Sequence, residues 1–299
     1  MKVNSLICFL LFFFLISCQT KFDLPISPPP LPCCILPDNV RVALVLGGGG
    51  FRGLSHVGVL QALEEANIPI DLIVGCSAGA IVGSLYADTP NASYVRKIVT
   101  PLRAWDLLDI NVLYARYGLV QGRSLSRFLT SHLSCHYFEE LQIPLCIVAT
   151  DIMAGNLACF TAGPLIPPVR ASCAVPFIFS PVYLYKRWLV DGGVIDPVPV
   201  KTAKEYGATI VIAVDLCRLL PRTCPNNLFG IAARATEIAL SLHSANCVEG
   251  AEIVIRPELG DMGIFDDCNP DHVYEAGYRA AYKVLPQIID LLIENGISV

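Results

Sequence analysis

Residues 42–46 are an unbroken apolar run, Val-Ala-Leu-Val-Leu, as a strand buried on both faces of a sheet requires. A glycine-rich turn at 47–53 follows. Over 54–66, Val57, Leu60 and Leu63 recur at the spacing of one helix face. Residues 70–74 form a second mainly apolar run, and after a second glycine turn residues 80–87 read again as helix. This β-α-β-α alternation predicts a parallel sheet with helices on both sides, an α/β fold. Further along, the spacing predicts helices over 93–108 and, behind a Gly122 turn, over 124–133. Apolar runs at 145–150, 157–161, 188–190, 210–215 and 253–256 predict strands, and helical spacing returns over 200–206, 228–245 and 272–293. No internal repeat interrupts the series, and residues 40–299 read as one domain.

The start of the chain follows a different pattern. Lys2 precedes an apolar stretch at 6–16, which has the length of a signal peptide and falls short of the roughly twenty residues a spanning helix needs. The stretch ends in Leu15-Ile16-Ser17-Cys18, which resembles the bacterial lipobox. Residues 1–17 are therefore expected to be a lipoprotein-type signal, with Cys18 the lipid-modified first residue of the mature chain. Residues 18–39 carry Pro25, Pro28, Pro29, Pro30, Pro32 and Pro37, a composition that favours extended polyproline II and predicts a tether. The expected location is a membrane surface reached by export and held through the lipid on Cys18. Gln19 after that cysteine points to a bacterial outer membrane, and secretion is the alternative.

Composition narrows the class. With 54% hydrophobic and 16% charged residues, the chain has ample material for a core and does not suit disorder. A formal net charge of -5 and scattered basic residues argue against an extended nucleic-acid surface. Of the thirteen cysteines, Cys8 would leave with the signal and Cys18 would carry lipid, so an odd number remains and not all can pair. Cys217 and Cys224 flank a turn-rich loop and are the best candidate bridge for an oxidising compartment. Cys146, Cys159 and Cys173 lie in apolar patterns and read as small buried hydrophobes. No C-x-x-C pair or histidine cluster indicates a metal site. Nothing in the pattern bears on oligomeric state.

Candidate chemistry sits in the turns. Gly75-Cys76-Ser77-Ala78-Gly79 joins an apolar run to a helix, the setting of a G-x-S-x-G nucleophile elbow. The plain alternative for Ser77 is a helix N-cap. In the preceding turn, Gly48-Gly49-Gly50-Phe51-Arg52-Gly53 presents backbone N–H groups at a helix start, suited to an oxyanion. The same residues satisfy G-x-G-x-x-G, but a dinucleotide site needs an acidic residue at the end of the second strand. Here Asp71 stands at its start and the serine elbow occupies its end. Arg52 reads mainly as a structural tie from the loop to a carboxylate or to carbonyls, and secondarily as a phosphate ligand. His56, one turn into the helix, reads as a core or capping residue. Asp191-Gly192-Gly193 closes a short apolar strand, and with the elbow present Asp191 becomes the leading base. Only His243 and His272 follow it, both in helical stretches, a poor placement for a triad histidine. The spacing therefore favours a Ser-Asp dyad.

Together these residues resemble the patatin-like phospholipases, whose signatures G-G-G-x-R-G, G-x-S-x-G and D-G-[AG] correspond to residues 48–53, 75–79 and 191–193. The likeness extends over the flanks, from about Val40 to Ala281. It implies a three-layer α/β/α fold with a mostly parallel sheet, Ser77 as nucleophile and Asp191 as proton acceptor. It also implies an oxyanion hole from the Gly48, Gly49 and Gly50 amides, no metal or other cofactor, and phospholipid or other acyl-lipid esters as substrates. Asp196 stands where relatives more often have asparagine, and a second carboxylate near Asp191 is expected to raise its pKa. The alternative is a surface lipoprotein that binds lipid or a partner without catalysis.

Overall fold

The computed structural model describes residues 30–32, 39–107, 109, 117–217, 220, 224, 226, 228–264, 266 and 269–298. The expected signal, Cys18 and nearly all of the expected tether lie outside these residues. Leu31–Val299 forms one compact unit.

Among the described residues, eight strands make one mixed sheet: β1 (Val42–Leu46), β2 (Leu72–Cys76), β3 (Leu145–Asp151), β4 (Asn156–Phe160), β5 (Val182–Leu184), β6 (Arg187–Asp191), β7 (Ile210–Val214) and β8 (Ile253–Ile255). Their order is β5-β6-β3-β2-β1-β7-β8, with β4 also paired to β3. The run β3-β2-β1-β7-β8 is parallel throughout; β4 and β6 pair antiparallel with β3, and β5 pairs antiparallel with β6. The helices are α1 (Leu54–Glu65), α2 (Ala78–Asp88), α3 (Ala92–Val99), α4 (Ala104–Leu107), α5 (Arg123–His132), α6 (Ile166–Ser172), α7 (Val200–Glu205), α8 (Leu228–Cys247) and α9 (Pro270–Glu294).

Strand side chains alternate between two cores, as a pleated sheet covered on both faces requires. Val42, Leu44, Leu46, Ile73 and Ile212 meet Val57 and Leu60 of α1, Leu85 of α2 and Ile288 of α9. Ala43, Val45, Val74, Val148 and Val211 meet Val200 and Ala203 of α7 on the other face. The architecture is the three-layer α/β/α arrangement expected.

Two local expectations are corrected, and one helix was not expected. The helix predicted over 93–108 is two pieces, because Pro101 cannot donate a helical hydrogen bond: α3 ends at Val99 and α4 begins at Ala104. α6, which the hydrophobic spacing did not indicate, opens on Pro167 and Pro168, whose missing N–H groups cost nothing in a first turn. No disulfide joins Cys217 to Cys224. Cys217 is buried and donates its thiol to the Gly48 carbonyl at 3.1 Å, while Cys224 is exposed. Cys146 and Cys173 are buried as expected, and Cys159 is half-buried.

Candidate active site

The register of β3 brings two distant motifs together. β2 ends with Cys76 opposite Val148, and β6 ends with Asp191 opposite the next residue, Ala149. Ser77, the first residue after β2, therefore reaches the level of Asp191. Its Oγ donates to Asp191 Oδ2 at 2.6 Å, and both residues are buried. No histidine stands between them.

Ser77 is not a side-chain cap: it occupies the N-cap position of α2 but makes no capping hydrogen bond. Its backbone is left-handed, with φ 51° and ψ -117°, a conformation that costs on the order of 1–3 kcal/mol in a non-glycine residue. The surroundings hold it there. The Ser77 amide donates to Ser172 Oγ at 2.8 Å, and the Cys173 thiol donates to the Ser77 carbonyl at 3.3 Å. Both contacts come from the end of α6, the helix that was not expected. Nothing in the local sequence singles out Ser172; the Pro167-Pro168 pair signals only that a helix can begin there.

The motif glycines let these elements close up. A Cβ on Gly79 would collide with the Leu46 carbonyl of β1, and one on Gly53 would lie 2.6 Å from the Ala78 methyl. Gly75 likewise abuts Ala80, and Gly192 abuts the Val148 carbonyl. Gly193 serves Asp191 directly: its amide donates to Asp191 Oδ1 at 2.8 Å.

Of the three loop amides expected to form an oxyanion hole, one is spent. Gly48 N–H donates to the Pro197 carbonyl at 2.8 Å. The Gly49 and Gly50 amides make no hydrogen bond among the described residues, and both glycines line the cleft with Ser77 and Asp191. Gly50 takes φ +57°, which orients the loop into its short 3-10 turn.

Arg52 is the tie that the sequence favoured. It donates to the Leu216 carbonyl at 3.0 Å and twice to Met262, and lies 3.6 Å from buried Glu237 of α8. Burial lowers its pKa, partly offset by the Glu237 charge. Fully engaged on protein groups, Arg52 has no free face for a phosphate. Arg52→Ala would remove three loop contacts and one of the two arginines beside buried Glu237, leaving Arg234 at 3.1 Å, and is expected to cost about 1.5–3 kcal/mol in denaturant unfolding. His56 pins the loop from below: Nε2 donates to the Gly47 carbonyl at 2.8 Å, and burial pushes its pKa down to about 4, so it is neutral.

Burial also raises the Asp191 pKa, to about 6, against the opposing hydrogen bonds from Ser77 and the Gly193 amide. The contribution expected from Asp196 is absent. That carboxylate's own pKa is raised by burial, an effect partly offset by the nearby Cys247 thiol, Val198 amide and His243. A carboxylate with pKa near 6, bonded to a strained serine hydroxyl, has the properties of a general base at neutral pH.

Ser77 and Asp191 open into a cleft of about 480 Å³ with mainly apolar walls, including Val175, Phe177, Val194 and Leu240. His243 also lines this cleft, on α8. Sequence reasoning placed it in a helix but had no means of knowing which helix borders the site. His272 lies in the first turn of α9, away from this wall. Among the described residues no group of three or more His, Cys, Asp or Glu side chains is arranged to hold a metal ion.

The sequence profile described as Patatin-like phospholipase matches residues 44–204, from β1 into α7. The chain belongs to this family. An NTE family protein of Mycobacterium tuberculosis is 37% identical over 178 residues, covering 59% of this chain and 49% of its own length. Patatin-like phospholipase domain-containing protein 6 of Homo sapiens is 37% identical over 277 residues, covering 80% of this chain and 20% of its own. The chain thus spans about half or less of these curated relatives. The crystal structure of VipD from Legionella pneumophila superposes with a TM-score of 0.55 at 14% identity, covering 93% of this chain and 73% of that one. That likeness is one of fold.

Proposed function

We propose that this patatin-like domain is a serine hydrolase of lipid acyl esters, of phospholipase A or lysophospholipase type. The observation that carries the reading is the 2.6 Å hydrogen bond from Ser77 Oγ to Asp191 Oδ2 at the floor of an apolar cleft. Ser77 Oγ bonds to the acyl carbonyl carbon as its proton passes to Asp191. The tetrahedral oxyanion takes hydrogen bonds from Gly49 and Gly50 N–H, and each such donor is typically worth roughly 3–4 kcal/mol of barrier. Collapse breaks the ester C–O bond, and the departing alcohol takes the proton from Asp191. Water, deprotonated by Asp191, then attacks the acyl-Ser77 ester, the fatty acid leaves, and the proton returns to Ser77 Oγ. The relatives' names, which include phospholipase, support a lipid substrate.

The test is covalent labelling with a fluorophosphonate, which phosphonylates an activated serine. The expected result is one adduct, on Ser77, absent from Ser77→Ala. Folded protein that takes up no label would instead favour a binding lipoprotein without catalysis.

We further propose, on the sequence motif alone, that Cys18 carries lipid and holds the protein at a membrane. Metabolic labelling with a palmitate analogue should mark the protein and vanish in Cys18→Ser. Unlabelled, wholly soluble mature protein would mean secretion.

A further inference from the structure

α8 is inverted relative to an ordinary surface helix, which turns its charged residues to water. Its two charged side chains, Arg234 and Glu237, pair with each other at 3.1 Å. Glu237 is buried and accepts the Ile264 amide. The outer face carries Ile231, Ile238 and Leu242, which are 55%, 42% and 70% exposed. Their spacing of seven and four residues places them on one stripe. Among the described residues of the helix, no exposed position holds Lys, Arg, Asp or Glu.

The stripe adjoins the cleft, since Ala235, Ala239 and Leu240 of the same helix line it. At the cleft, Phe177 is 86% exposed and holds φ +70°, a strained value for a bulky residue. Val194, another cleft residue, is 49% exposed. A phenyl ring kept in water by a strained backbone, next to a row of exposed aliphatics, marks an interaction surface.

We infer that the α8 stripe and the Phe177 rim dock on a lipid bilayer, with the cleft mouth applied to the acyl region so that a lipid enters without crossing water. The inference rests on the proposed hydrolysis of lipid esters. Continuity names the occupant: the apolar surface runs into the cleft, so a protein seated on it would close the mouth, whereas a bilayer would feed it. Among the described residues named on this surface none is cationic, and the chain carries a net charge of -5, so apolar burial drives the docking, not attraction to anionic headgroups.

The test uses the full chain with Cys18→Ser, so that no acyl anchor contributes, and phosphatidylcholine vesicles. The face is altered by Ile231→Glu with Leu242→Glu; neither residue lines the cleft, and glutamate keeps helix propensity. In a Ser77→Ala background, this pair should lower partitioning onto vesicles by at least about tenfold. With Ser77 present, hydrolysis of vesicle phosphatidylcholine should fall by a like factor, while hydrolysis of a monomeric short-chain ester stays within about twofold. Unchanged vesicle binding and vesicle hydrolysis in the altered protein would overturn the docking surface. So would a dimer, seen by sedimentation, that the pair splits while vesicle binding persists. If the unaltered protein cleaves neither ester, the proposed activity fails, and the binding comparison in Ser77→Ala still decides the docking.

Discussion

Ser77→Ala and Asp191→Asn should each lower kcat/KM for an acyl ester by at least about 10³-fold, the loss typical when a nucleophile or its base is removed. The two variants should differ in stability, which separates a chemical defect from an unfolding one. The folded pKa of Asp191 is about 6, above its ordinary value of 3.8, because the buried carboxylate is poorly solvated. Between about pH 4 and pH 6 the native state therefore binds a proton that the unfolded chain has released. Stability contributed by this group falls as pH rises through that window, and at pH 7 the charged carboxylate is a net cost. Asparagine removes the charge and retains an acceptor for Gly193 and a donor for Ser77. Asp191→Asn should thus melt above the unaltered protein, by an increment on the order of 1–3 kcal/mol, while being catalytically dead. An inactive variant with a lowered melting temperature would indicate that Asp191 serves the fold first.

The second large effect is on pH dependence. The base must be ionised, so the rate should fall about tenfold per pH unit below the Asp191 pKa of about 6. A histidine base, with an ordinary pKa near 6.5, would give nearly the same limb, so the profile alone does not identify the base. Substitution does. Asp191 touches Ser77 directly, leaving no place for an imidazole between them. His243→Ala, although that residue lines the cleft, and His272→Ala should each retain activity within roughly tenfold and keep the acid limb near pH 6, against losses of 10³-fold or more for a true base. A thousandfold loss in either variant, with native circular dichroism, would overturn the dyad.

Local pattern was enough for much of this protein. Unbroken apolar runs at β1, β2 and β7 and the three-residue spacing in α1 reflect burial on both sheet faces and on one helix face, which any sequence must satisfy to form those elements. The glycines of the two turns were equally legible, because only a residue without Cβ can stand where α2 crosses the Leu46 carbonyl. Ser77 and Asp191 were visible as types in turns, and a poor setting for either following histidine argued for a dyad.

The tertiary structure decided what depends on register and on neighbours distant in sequence. The pairing of β3 with both β2 and β6 is what sets Asp191 beside Ser77, across 114 residues. Pairing partners of this kind leave no local periodicity. The spent Gly48 amide depends on Pro197, the strained Ser77 backbone on Ser172, and the Asp191 pKa on burial and not on its near neighbour in sequence, Asp196. A bridge from Cys217 to Cys224 suited the spacing, but Cys217 is drawn instead under the glycine loop. The inversion of α8 was illegible for the same reason. The helical spacing over 228–245 says neither that Glu237 turns inward to Arg52, 185 positions away, nor that Ile231, Ile238 and Leu242 are exposed.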